Sequence, residues 1–147
     1  MRELIEQLLD KRGEDADLND IDVSDVTDIS YLFDGINVGN IDISEWDVSN
    51  VTYMNDVFYQ CEHFNSDLSK WDVSNAEVMN GMFYGCEHFN SDLSKWDVSN
   101  VTDMKFMFYG CEKFNSDLSN WDVSNVTNIG AMFGRCDSLQ NKPDWYK

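Results

Sequence analysis

Apolar residues recur along this chain at one interval. Trp46, Trp71, Trp96 and Trp121 stand 25 residues apart, as do Phe58, Phe83, Phe108 and Phe133, and Phe64, Phe89 and Phe114. Asp-Val-Ser follows each of those tryptophans, and Glu62 to Asn75 repeats letter for letter as Glu87 to Asn100. A diverged first copy places Ile21 in the tryptophan slot and Phe33 in the Phe58 slot. Fixed self-similarity in this range marks stacked units, none of which can bury its apolar face alone.

Within a unit, Leu68-Ser-Lys-Trp71-Asp-Val73-Ser-Asn-Ala76 has the spacing LxxLxLxxA. The alternation at Trp71 and Val73 predicts a short strand with those two inward and Lys70, Asp72 and Ser74 outward. Ser74 and Glu77 then supply a capping-box pair. Met104, Met107 and Phe108 fall at helical offsets, and Gly110 suits a helix stop. The return segment Glu112 to Asp117 drives Phe114 inward. The expected fold is an α/β repeat, a short solenoid of about five 25-residue coils with one strand and one short helix each. Leu4, Ile5, Leu8 and Leu9 form a stripe ending at Gly13, which predicts an N-terminal capping helix over 1–14. Repeats then occupy 15–140, and Lys142-Pro143-Asp144-Trp145 lies in a C-terminal cap over 141–147, all within one domain, 1–147.

Composition adds a charge to this rod. Hydrophobic residues at 42% and aromatics at 14% exclude a disordered chain, despite a net charge of −18. Such a surface repels nucleic acid and anionic membrane, and attracts basic partners over roughly 8 Å at physiological salt. Direct nucleic-acid binding and membrane insertion are therefore not expected, and the N-terminus lacks the uninterrupted apolar core of a signal peptide. Cys61, Cys86, Cys111 and Cys136 follow the repeat rather than metal-knuckle spacing, so they read as interior packing in a reducing, cytoplasmic compartment. Asp15 to Asn19 begins like a calcium loop, but Asp20 and Val26 stand where its glycine and glutamate are needed. No metal and no cofactor is expected.

The sequence of residues 107–133, MFYGCEKFNSDLSNWDVSNVTNIGAMF, closely resembles the BspA-like leucine-rich repeats, a bacterial family of surface proteins and lipoproteins. The likeness spans roughly residues 17 to 140, through the core DLSxWDVSNVTxM. It implies a right-handed, leucine-rich-repeat-like solenoid and a role in binding proteins or surfaces. With no export signal or lipoprotein cysteine in the chain, a small cytoplasmic effector or inhibitor of bacterial or phage origin is expected. An adhesin-type repeat fragment is the alternative.

Two sets of positions are candidates for recognition. Asp22, Asp47, Asp72, Asp97 and Asp122 share one outward slot and should form a column, with Asp42, Asp67, Asp92 and Asp117 as a second. Unit charges about 5 Å apart repel by roughly 1 kcal/mol even in water, so turn hydrogen bonds, calcium or a basic partner must compensate. Tyr59, Tyr84 and Tyr109 form a candidate aromatic edge. The copies differ at Tyr53, at Asn80 with Gly81, at Lys105 with Phe106, and at the two ends. Asn40, Asn65, Asn90 and Asn115 suggest a ladder of amides between coils. No phosphate loop, nucleophile elbow or metalloprotease motif is present, so an enzyme is not expected. The expectation is a protein-interaction module for a basic partner, as a monomer or a homodimer. An acidic mimic of nucleic acid that blocks a DNA- or RNA-binding protein is the alternative.

Overall fold

The computed structural model of the protein describes residues 1–147. One helix, α1 (Arg2–Arg12), precedes a stack of coils built from turns. Ile5 and Leu9 of α1 are buried against the first coil, and Gly13 closes the helix by donating its amide to the Leu9 carbonyl. The 25-residue interval of the sequence is one circuit of the coil. Parallel backbone bridges join Asp28, Tyr53, Val78, Asp103 and Asn128 in successive coils.

The expected strand-plus-helix coil is not formed, and with it goes the leucine-rich-repeat-like α/β solenoid. Five or six reverse turns bend each coil instead. In the third, amides donate three residues back, from Trp71 to Leu68, Ala76 to Val73, Met82 to Met79, Tyr84 to Gly81, Cys86 to Phe83 and Phe89 to Cys86. Trp71 and Val73 do point inward, at 3% and 1% exposure, but from turn corners. The proposed capping pair also fails: the Ser74 amide donates to the Asp72 carboxylate and the Glu77 amide to the Thr52 carbonyl.

The run read as a helix shows the physical reason. In a helix each amide would bond four residues back. Here every second amide points at the next coil: Met79 to Asp103, Gly81 to Lys105, Phe83 to Met107 and Gly85 to Tyr109, at 2.7–3.0 Å. The chain stays open because two residues per coil, four apart, take left-handed backbone. One column of these is Tyr31, Asp56, Gly81, Phe106 and Ala131, and the other is Gly35, Gln60, Gly85, Gly110 and Arg135. Gly110, read from sequence as a helix stop, is one of them, with φ 78°, and donates to Gly134. Left-handed geometry costs a non-glycine residue about 1–2 kcal/mol. The stack imposes it because the alternative leaves buried amides without acceptors.

Each of the four bonds from Met79, Gly81, Phe83 and Gly85 runs from an earlier coil's N–H to a later coil's carbonyl, so the carbonyls of this run face the N-terminal end. There Arg2 of α1 donates its guanidinium to the carbonyls of Tyr31 and Asp34 at 2.7 and 2.8 Å. A cation over that end is favoured by the same logic that places cations at helix C-termini.

Side chains form ladders through the core. Phe33, Phe58, Phe83, Phe108 and Phe133 stack at 5.3–5.7 Å, and Phe64, Phe89 and Phe114 form a second column beside them. Each indole N–H is satisfied by a carbonyl of the preceding coil, as Trp96 by Leu68 at 2.9 Å. The amide oxygens of Asn65 and Asn90 accept from the backbone of the next coil at 2.8 Å, so the asparagine ladder holds coils together. Trp145 takes the next tryptophan slot one residue early, stacked on Trp121 at 6.3 Å and bonded to the Leu118 carbonyl. Tyr146 then sets its edge against Phe133.

Candidate functional site

The Asp-Val-Ser corner answers the question of charge. In every coil the aspartate accepts the backbone N–H of the serine two residues on, at 3.0 Å, for Asp22, Asp47, Asp72, Asp97 and Asp122. Serine hydroxyls add a second bond to Asp22, Asp47 and Asp97 at 2.5–2.7 Å. The second column, Asp42, Asp67, Asp92 and Asp117, accepts from Ser44, Ser69, Ser94 and Ser119 in the same way. These are Asx turns, in which the carboxylate stands in for a turn carbonyl.

The bonds set the protonation state. Serine hydroxyl and then amide donors hold Asp22, Asp47, Asp97 and Asp122 below the ordinary carboxylate value. Asp67 and Asp92 are lowered the same way, Asp42 by Ser44 with Asn19, and Asp117 chiefly by the Ser119 amide. Neighbouring carboxylates push back, as Asp22 does on Asp47 and Asp122 on Asp97, but the hydrogen bonds win. The outward face is thus an ordered array of ionised, exposed carboxylates. No three histidine, cysteine or acidic side chains are grouped to hold a metal ion.

A pH dependence follows. A carboxylate lowered in the folded state stabilises the fold fully above its unfolded value, near 3.8, and that contribution is lost as pH falls through the folded value. Asp56 runs the other way: burial raises it, so its protonation on mild acidification favours the fold. The urea midpoint should therefore hold or rise from neutral pH to about pH 5 and fall steeply toward about pH 2.5. A midpoint unchanged at the acid end would show that the serine bonds contribute nothing to stability.

The tyrosines form a second surface. Tyr59 stacks on Tyr84 at 4.7 Å and Tyr84 on Tyr109 at 5.0 Å, each half-buried. The column stops where Gly134 makes room, since a Cβ there would lie 2.5 Å from the Tyr109 ring. Beside Tyr59 and Tyr84 opens a cleft of about 250 Å³, also lined by Asp56, Asn80, Gly81, Asp103, Lys105 and Phe106. It joins aromatic rings to charges of both signs.

The structure thus gathers Asn80, Gly81, Lys105 and Phe106, positions where the copies differ, against part of the tyrosine edge. Tyr53 is exposed and lies outside this cleft, and the Asp-Val-Ser column lies on a different part of each coil. Sequence reasoning did not single out Asp56. The signal was present: its slot reads Tyr31, Asp56, Gly81, Phe106, Ala131, a variable column in an otherwise repeating unit.

The cysteines are interior, and each thiol donates to a carbonyl of the coil before, Cys61 to Phe33, Cys86 to Phe58, Cys111 to Phe83 and Cys136 to Phe108, at 2.9–3.1 Å. Burial pushes Cys61 and Cys136 up to about 12 and Cys86 and Cys111 well above the ordinary value, so the thiols stay protonated. No helix is long and apolar enough to cross a membrane.

Residues 3–98 and again 70–146 match the model of a family described as "Mycoplasma protein of unknown function, DUF285". No curated protein matches the chain.

Proposed function

This chain belongs to DUF285, a bacterial repeat family without an assigned activity, and from that premise we propose that it is a non-enzymatic protein-binding module for a basic partner. One observation carries the reading: the exposed carboxylates of Asp22, Asp47, Asp72, Asp97 and Asp122 recur at coil spacing, each fixed by the amide of the serine two residues on. A rigid array holds its side chains in place before binding, so less conformational entropy is lost when a partner arrives. With a net charge of −18 it also steers cationic surfaces into contact. Tyr59, Tyr84 and Tyr109 add amphipathic area of the kind that anchors interfaces.

In this reading the chain acts inside a bacterial cell as an effector or inhibitor, and its buried protonated thiols suit a reducing compartment. Kinship to the BspA-like repeats is part of the proposal at the level of the DLSxWDVSNVTxM motif. The triple change Asp47→Asn, Asp72→Asn and Asp97→Asn tests it. Partner capture from a bacterial extract should fall about tenfold in the variant, and fall likewise for the wild type when salt is raised. Capture indifferent to both would remove the acidic face from the mechanism. Competition by duplex DNA would favour the nucleic-acid mimic instead.

A further inference from the structure

We infer that the cleft over Gly81 is a receptor for a single arginine side chain of the partner, seated between the Asp56 carboxylate and the Phe106 ring. The inference rests on the proposed basic partner and names what that partner inserts.

The slot exists because one column loses a side chain. Tyr31, Asp56, Gly81, Phe106 and Ala131 occupy one position in successive coils. Gly81 therefore leaves a gap between Asp56 and Phe106, which stand two coils, about 10 Å, apart. The Asp56 carboxylate takes the space of a Gly81 side chain, since a Cβ there would lie 2.1 Å from Asp56 Oδ1, and the cleft opens beside it. The carboxylate thus leans over the glycine.

The walls have complementary chemistry for a planar cation. Asp56 is partly buried, receives hydrogen bonds from neutral groups alone, Asn55 Nδ2 at 3.3 Å and the Tyr31 side chain, and has no cation paired with it. Burial raises its pKa, outweighing the Asn55 and Tyr31 hydrogen bonds that lower it. Phe106 holds φ 58°, a strained value, and its ring stands edge-on to Tyr84 and Tyr109 at 6.0 and 5.7 Å. Lys105 Nζ lies 5.1 Å over that ring, so it already receives one cation. Asp103 offsets the lysine, and with Asp56 leaves the cleft one negative charge in excess.

Arginine fits better than lysine for a geometric reason. A guanidinium is flat, donates in a fork to a carboxylate, stacks on an aromatic ring, and sheds water more readily than an ammonium. Lysine would bring a second compact charge beside Lys105 with no fork to offer Asp56.

The probe is the tripeptide acetyl-Gly-Arg-Gly-amide, with lysine and citrulline counterparts, titrated into the full ¹⁵N-labelled chain. The arginine peptide should give saturable shifts at the amides of Asn80 and Gly81, with at least about fivefold tighter binding than lysine. Citrulline, isosteric but uncharged, should give none. Asp56→Asn should weaken binding about tenfold. Gly81→Ala should abolish it, whereas Gly85→Ala, equally left-handed but outside the slot, should bind as the wild type. Should Gly81→Ala not fold, the isosteric Asp56→Asn decides.

Equal shifts from lysine or citrulline, or binding that survives Asp56→Asn, would overturn the slot. If those results come while the aspartate triple variant still loses its partner, the slot fails and the acidic-face reading stands. If the peptide binds as expected but the triple variant keeps its partner, the slot stands and that reading fails.

Discussion

Phe83→Ala lowers stability by about 3–5 kcal/mol, the range for emptying a buried aromatic site. Phe83 has no exposed surface, and its ring is stacked between Phe58 and Phe108, each 5.6 Å away, with Phe89 at 4.1 Å and Trp96 at 6.3 Å. Its neighbours are fixed by intercoil bonds on both sides and cannot collapse into the space. The same change at Phe133 should cost less, because only Phe108 stacks on one face and the partly exposed cap of Trp145 and Tyr146 covers the other. A central defect should also loosen the coupling between halves of the stack, so its urea transition broadens as well as shifts. Paired urea titrations of the two variants check this. A Phe133 loss equal to or above the Phe83 loss would contradict a stack whose stability is set at its centre.

Deleting residues 71–95 should leave a folded, cooperative protein with one coil fewer. The new junction places Lys70 before Trp96, where Lys95 stands now, within a segment identical in both copies. What is lost is one interface: six or seven backbone bonds, one step of the phenylalanine ladder and one indole bond. The denaturant slope should fall by about a sixth, in proportion to the surface no longer buried, and the midpoint should fall with it. One local conflict is expected. Without Gly81, the Cβ of Phe106 arrives where Asp56 Oδ1 now lies, so Asp56 must turn away and the cleft closes. An unfolded deletion variant would show that the coils are not interchangeable units.

Much of this molecule was legible from residue order. The interval between tryptophans is the coil, the phenylalanine columns stack as their spacing implies, and Trp71 and Val73 face inward with Asp72 outward. The turn role of the aspartates was visible as one of several ways to relieve a column of charge, and the serine bonds supply it. The helix was misread for a definite reason. Apolar residues at Met104, Met107 and Phe108 recur every three to four positions, and a train of reverse turns produces that interval as well as a helix does. Gly35, Gly85 and Gly110 in one column, four residues after Gly81 in the other, were the contrary signal. It was muted because Asp56, Gln60, Phe106 and Arg135 hold the same left-handed geometry without being glycine.

The sequence by itself determined the period, the inner and outer faces and the acidic array, because these depend only on which residue type recurs at which offset. Only the tertiary structure decided where the backbone amides go. Their acceptors lie 24 residues away in the next coil, as Gly81 to Lys105. That long-range bonding selects turns over helix, forces left-handed backbone on residues that resist it, and brings Asp56, Gly81 and Phe106 together around one cleft.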